Sequence, residues 1–178
     1  LESNRRYQFS ALDIHQSIEQ ILRTYQLNAR DKGIELIKDI EEGLPQVLGN
    51  YDLMLQVFGN LVGNGLKFST AGGCVAIRAY RAPSVVDHPG FAGYVRIEIS
   101  DTGIGIAPED QDAIFDRFYR VENRVHTLEG TGLGLSIVKN IIDKHSSRMC
   151  LVSEVGTGTT FWFDLAVYEQ PLVKPEAD

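Results

Sequence analysis

Positive charge is in short supply in this chain. Seventeen Lys and Arg stand against 24 Asp and Glu in 178 residues, a net charge of −7. Wholesale nucleic-acid binding normally shows a basic excess, so that class is excluded and only a local basic patch stays open. Cysteine is scarcer still. Cys74 and Cys150 lie far apart and match no metal or redox spacing. Both fall in strand-like segments and are expected to be buried free thiols, which fits a reducing, intracellular setting. No apolar run approaches the ~20 residues needed to cross a bilayer, and no signal peptide opens the chain. Against these shortages stand 43% hydrophobic and 23% charged residues. That fits one globular domain with ragged ends, long enough to bury a core.

Periodicity divides the chain. Tyr7, Phe9 and Ala11 alternate as in a short strand. Asp13 is placed to cap a helix with Ile14, Ile18, Ile21, Leu22 and Tyr25 on its apolar face, and Gly33 ends it. "IELIKDI" alternates as a strand, and "EEGLPQVLGN" reads as a loop. A helix capped by Asn50 or Asp52 then runs to about Phe68. "GCVAIRAY" and "GYVRIEISD" read as an antiparallel pair joined by the loop "RAPSVVDHPGFAG". Pro108 sits where a helix would begin, with "DAIFDRFYR" continuing it. "VENRVHTLEGT" has no apolar period and reads as a mobile loop. A last helix has Leu133, Ile137, Val138, Ile141 and Ile142 inside, and a hairpin around Gly156-Thr157-Gly158 closes the fold. "EQPLVKPEAD" reads as a disordered tail. Strands and helices mix without strict βαβ alternation. The fold class is therefore α+β, a mixed sheet with helices on one face.

The helix ending at Phe68 carries an odd stripe. Positions i, i+4 and i+7 share a helical face, which lines up Gln56, Asn60, Gly63, Asn64 and Lys67. Met54, Phe58, Leu61, Val62, Leu66 and Phe68 cover most of the rest. The stripe is either solvated or faces a ligand. Solvated faces usually carry Glu, Lys, Arg and Ser rather than the poor helix formers Asn and Gly. Two glycine clusters add to this, Asp101-Thr102-Gly103-Ile104-Gly105 and Gly130-Thr131-Gly132-Leu133-Gly134-Leu135. The second leads into a helix, whose free N–H groups make an anion site. Neither a Walker loop nor a Rossmann fingerprint is present. Asp101 ends an apolar strand, either as a turn-former or as a buried carboxylate that accepts hydrogen bonds from a ligand amine.

Together these segments resemble the catalytic ATP-binding domain of sensor histidine kinases, in the superfamily shared by gyrase, heat-shock chaperones and mismatch-repair ATPases. "NLVGNGLKF" resembles the N box, "DTGIGI" the first glycine box, "IFDRFYR" the F box, "GTGLGL" the second glycine box and "GTGTTF" the last. The resemblance implies a two-layer α/β sandwich (Bergerat fold), with a mostly antiparallel mixed sheet and an ATP lid. It implies a catalytic domain over residues 9–168, the end of a dimerisation helix or linker over 1–8, and a tail over 169–178.

It also implies roles. Asn64 would be the Mg²⁺ ligand, assisted by Asn60, and oxygen donors suit that hard cation. Lys67 would meet phosphate charge, and Phe68 would flank adenine. Gly59 and Gly63 would leave room on that face. Asp101, Gly103, Gly105, Ile106 and Thr159 would line the nucleotide, as would Gly130, Thr131, Gly132, Leu133, Gly134 and Leu135. Arg120 would meet the γ-phosphate, with Arg117 either beside it or structural. Phe115 and Phe118 would anchor the lid loop, and Lys139 would be a solvated charge. Hydrolases of the superfamily have a glutamate where Asn60 stands, so ATP should be held without fast hydrolysis.

Three departures are visible, one of them a "RAPSVVDHPGFAG" loop longer than in many members. Gly65 stands where Ala is common, and "HSSRM" replaces a frequent His-Gly-Gly, so that turn is expected to differ. None of His15, His88, His126 and His145 has the sequence context of a phosphoacceptor. The acceptor is expected on a dimerisation domain of the same kinase, with a cognate response regulator as the further partner and a cytoplasmic location. The competing readings are an ATP hydrolase of the gyrase kind and a non-catalytic nucleotide-binding module.

Overall fold

The computed structural model describes residues 7–83, 92–116 and 134–170. A five-stranded sheet runs in the order β2 (Glu35–Ile40), β4 (Cys74–Arg81), β5 (Tyr94–Asp101), β7 (Gly158–Ala166), β6 (Cys150–Glu154). Only β2 and β4 pair in parallel; the other pairs are antiparallel. A short second sheet joins β1 (Ser10–Leu12) to β3 (Val47–Gly49).

Alternation decides which face of the large sheet is covered. Val75, Ile77 and Ala79 of β4, Val95, Ile97 and Ile99 of β5, and Phe161, Phe163 and Leu165 of β7 are all buried. They pack beneath α1 (Ile14–Lys32), α2 (Tyr51–Phe68) and α3 (Gly134–Lys144). The opposite face carries Arg96 paired to Asp164 at 2.8 Å and Tyr80 donating to Glu98 at 2.6 Å. A period of two thus builds a two-layer sandwich with helices on one face.

The helix boundaries follow their chemistry. Asp13 accepts from the amides of His15 and Gln16, and Gly33 closes α1 at φ 67°, a left-handed conformation that suits glycine. Asn50, not Asp52, caps α2 by accepting from the Leu53 amide at 3.0 Å. α2 buries Leu53, Met54, Val57, Phe58, Leu61, Val62, Gly65 and Leu66, nearly its whole circumference apart from the Asn60 stripe. The hairpin closes as expected, with Gly156 at φ 82°.

Several expectations are corrected. The loop "EEGLPQVLGN" contains β3, whose partner β1 lies far away in sequence. In the first strand it is Leu12 that is buried, while Tyr7 and Phe9 are exposed, so its alternation runs in the opposite phase. No continuous helix starts at Pro108. Two 3-10 turns, Pro108–Asp110 and Ala113–Phe115, stand there, because the chain must bend twice to bring Ile114 into the core. Ile137 is 40% exposed, since the buried stripe of α3 runs through Val138, Ile141 and Ile142. Cys74 and Cys150 are free but only half-buried, each at the first residue of its strand. After α3, Ser146 takes φ 54°, a left-handed turn that glycine would adopt without cost.

Candidate functional site

α2 works as a rail. Its polar stripe is half-buried from Asn60 to Lys67, and the helix meets the start of α3 at Asn60 and the loop after β5 at its C-terminal end. At its middle, the Asn60 amide nitrogen donates to the Gln56 carbonyl at 2.9 Å. That bond turns the Asn60 carboxamide oxygen toward the first residue of α3. A Cβ on Gly134 would lie 2.9 Å from this oxygen. Only a residue without a side chain lets the start of α3 come so close. Asn64, one turn further on, is half-exposed, and among the described residues its carboxamide has no hydrogen-bond partner.

At the C-terminal end of α2 the Asp101 loop closes in. A Cβ on Gly103 would lie 2.8 Å from the Phe68 carbonyl oxygen, and one on Gly65 3.4 Å from the Asp101 Cβ. The rise from Asn60 to Gly65 is about 7.5 Å at 1.5 Å per residue. Lys67 stands at this end of the helix, its ammonium 5.3 Å from the centre of the Phe68 ring. Gly105 takes φ 73°, and a side chain there would overlap the Glu154 carbonyl, so the loop lies flat on the β6–β7 hairpin.

Asp101 itself sits in a rung that crosses the sheet. Val75, Asp101, Thr159 and Ser153 are successive cross-strand partners on β4, β5, β7 and β6. Burial pushes the Asp101 carboxyl above the ordinary range, and backbone N–H groups of Gly103 and Thr159 pull it partway back. The Gly103 amide donates to its Oδ1 at 2.8 Å. Thr159 is buried, and its hydroxyl lies 2.7 Å from the Ser153 hydroxyl. Ser153 in turn accepts from the Ile106 amide at 2.8 Å.

The structure therefore brings Asn60, Asn64, Lys67 and Phe68 onto one helix, with Gly134 and Leu135 beside Asn60 and with Asp101, Gly103, Gly105, Ile106 and Thr159 grouped at the C-terminal end of that helix. Leu135 also packs on the core. Arg117, Arg120, Phe118, Gly130, Thr131, Gly132 and Leu133 lie outside the described residues. Phe115 packs edge-on to Phe161, ring centroids 6.3 Å apart. Lys139 pairs with Asp143 at 3.6 Å with both side chains largely exposed, a surface ion pair. One expectation fails. Gly59 and Gly63 do not clear space for a ligand. They face α1, where the Tyr25 hydroxyl donates to the Gly59 carbonyl at 3.0 Å and would stand 3.3 Å from a Cβ on Gly63. Sequence reasoning missed Ser153 and Gln111, because nothing in a serine within an alternating strand signals its partners.

A two-layer sandwich whose half-buried helical amide faces the glycine that opens α3, with a glycine loop and a half-buried carboxylate at the end of the same helix, fits a nucleotide site of the ATPase kind. Residues 49–169 match the family described as histidine kinase-, DNA gyrase B-, and HSP90-like ATPase, and the chain belongs to it. It is 64% identical over 177 residues to "Drug sensory protein A" of Synechocystis sp. (strain ATCC 27184 / PCC 6803 / Kazusa), covering 97% of this chain and 26% of that protein. It is 53% identical over 171 residues to the "Uncharacterized sensor-like histidine kinase ycf26" of Pyropia yezoensis, covering 94% of this chain and 26% of that one. The chain thus spans about a quarter of the length of these curated relatives. Among solved structures, full-length ShkA in complex with AMPPNP superposes with a TM-score of 0.77 at 30% identity, over 96% of this chain and 34% of that one. The chain corresponds to the ATPase domain of its histidine kinase relatives. Among the described residues no helix is long and apolar enough to cross a membrane.

Proposed function

We propose that this domain binds Mg-ATP along α2 and delivers its γ-phosphoryl group to a histidine on a dimerisation domain of the same kinase. A cognate response regulator then draws the phosphoryl group from that histidine, in the cytoplasm. The observation that carries the reading is the rail. One helix presents the Asn60 amide oxygen at the glycine-led start of α3 and, about 7.5 Å along, abuts a half-buried carboxylate acceptor.

The residues fit a nucleotide and its cation. Asn60 and Asn64 offer neutral oxygens, the donor type that a hard cation takes alongside phosphate and water. A magnesium ion held by these two residues would supply charge neutralisation for phosphate. The N–H groups opening α3 favour an anion beside Asn60. Asp101, as a carboxylate, accepts hydrogen bonds only, so it matches the 6-amino group of adenine and opposes the 6-oxo group of guanine. Asn60 cannot take a proton from water, which spares the γ-phosphate for another acceptor. Arg120 supplies charge as that phosphate departs.

Radiolabelled ATP tests this with the chain alone, the dimerisation domain alone, and both together. Label should appear only on the dimerisation domain, only in the mixture, and faster as its concentration rises, since no tether supplies effective concentration. Arg120→Ala should slow transfer more than it weakens ATP binding. Acid-labile, alkali-stable label on this chain alone would overturn the acceptor assignment. No transfer at any concentration would favour a non-catalytic nucleotide module, and free phosphate in place of transfer a hydrolase.

A further inference from the structure

The backbone of Ile106 is held from both sides by residues that no part of the motif pattern includes. Its amide donates to the Ser153 hydroxyl at 2.8 Å. Its carbonyl accepts from the Gln111 side-chain amide at 3.1 Å, and the same nitrogen lies 3.4 Å from the Ser153 carbonyl. Gln111 is the residue just after the first 3-10 turn, so it bridges that turn to β6. The Ser153 hydroxyl also meets the Thr159 hydroxyl at 2.7 Å and the Gly158 carbonyl at 3.1 Å. Asp101 is tied into the same group through the backbone amide of Thr159.

We propose that Ser153, assisted by Gln111, is a positioning residue for base recognition. It fixes the spacing between the Ile106 strap and the Asp101 carboxylate, and so fixes where a purine 6-amino group must sit. The physical reason is geometric. Thr102 is tied to Cys74 of β4 through backbone and hydroxyl, and the Ile104 carbonyl accepts from the Gly156 amide at 2.8 Å; beyond those ties the loop from Thr102 to Ala107 is held at Ile106. Its glycines make it close-fitting against α2 and the hairpin but leave it without side-chain anchors at those positions. The hydroxyl of Ser153 lies in the same cross-sheet rung as Asp101, two strands away, and couples the loop to that rung. A loop held to the rung presents one geometry to the base; a loop released from it presents several, and a hydrogen bond to the 6-amino group then averages away. This rests on the assignment of Asp101 to adenine, and the test separates the two.

Calorimetry measures ADP and purine riboside 5′-diphosphate, which lacks the 6-amino group, against wild type, Ser153→Ala, Ser153→Thr and Gln111→Ala. The ratio of the two affinities reads the 6-amino contact alone. Wild type should prefer ADP by about tenfold or more. Ser153→Ala should lose most of that preference, Gln111→Ala part of it, and Ser153→Thr, which keeps the hydroxyl, should restore it. Equal weakening of both nucleotides, with the ratio intact, would make Ser153 merely structural and overturn the proposal. So would an unchanged ratio in Gln111→Ala, a variant that loses the side-chain bonds to the Ile106 and Ser153 carbonyls and keeps the Ser153 hydroxyl. A wild-type ratio near one would instead remove the base assignment of Asp101, and the positioning role with it.

Discussion

Replacing Asp101 by Asn separates what its carboxylate does for the fold from what it does for a ligand. In the fold, the carboxylate accepts the Gly103 amide at 2.8 Å and an amide of Thr159. Asn keeps one acceptor oxygen, so one of these bonds is lost or weakened, at about 1 kcal/mol. Burial works the other way. The folded carboxyl binds its proton more tightly than an unfolded one, so ionisation lowers stability as pH rises from the ordinary carboxylate range near 3.9. The uncharged Asn escapes that penalty. The two effects oppose, and 1 kcal/mol corresponds to roughly 2–4 °C in a domain of this size. Asp101→Asn should therefore melt within about 3 °C of wild type at pH 7, and should compare less well as the pH is lowered toward 4 and the wild-type carboxyl takes up its proton. Binding should respond differently. A hydrogen bond between a charged acceptor and the 6-amino group contributes about 1.5–3 kcal/mol, so ADP affinity should fall roughly tenfold to hundredfold. The preference for ADP over GDP should shrink as well. Thermal melts at both pH values and calorimetry with both nucleotides measure all of this. Unchanged ADP affinity would refute the base-reading role. A fall of more than about 6 °C at pH 7 would show that the carboxylate holds the loop, and that any loss of binding follows from unfolding.

Asn64→Ala should abolish Mg-dependent nucleotide binding and leave the melt unchanged, because its half-exposed amide packs no core; equal Mg-ATP affinity in titration would remove the metal assignment. Gly105→Ala combines a left-handed φ with overlap on Glu154 and should cost about 3 kcal/mol or more, a drop of roughly 6–12 °C in Tm by calorimetric scan. Ser146→Gly should instead raise stability by about 1 kcal/mol, since Ser146 already occupies the left-handed conformation; a denaturant melt reads the gain. His145 is held neutral, with Nδ1 donating to the Ile141 carbonyl at 2.8 Å and Nε2 accepting from the Asn50 amide at 3.2 Å, and burial lowers its pKa. The unfolded chain then binds the proton more readily, so the His145 contribution is complete above about pH 6.5 and is lost as pH falls below it. The drop in Tm from pH 7 to 5.5 should accordingly be smaller in His145→Gln.

Much of this molecule is written in local sequence. Helix caps at Asp13 and Asn50, the stop at Gly33, the alternation of β4 and β5, and the turn at Gly156 depend on residues within a few positions of one another. So does the polar stripe of Asn60, Asn64 and Lys67, because helical period alone puts those side chains on one face. What the sequence could not decide depends on separations it does not encode. β3 exists only because β1 pairs with it, and the stretch after Pro108 stays in 3-10 turns because the core claims Ile114. Gly59 and Gly63 look like clearance for a ligand until Tyr25, 34 residues before Gly59, is found against them. The joining of Asp101, Thr159 and Ser153 into one rung is a matter of register between three strands. Register is set by how whole faces of the sheet bury together, so the partners of Asp101 emerge only when the fold is assembled.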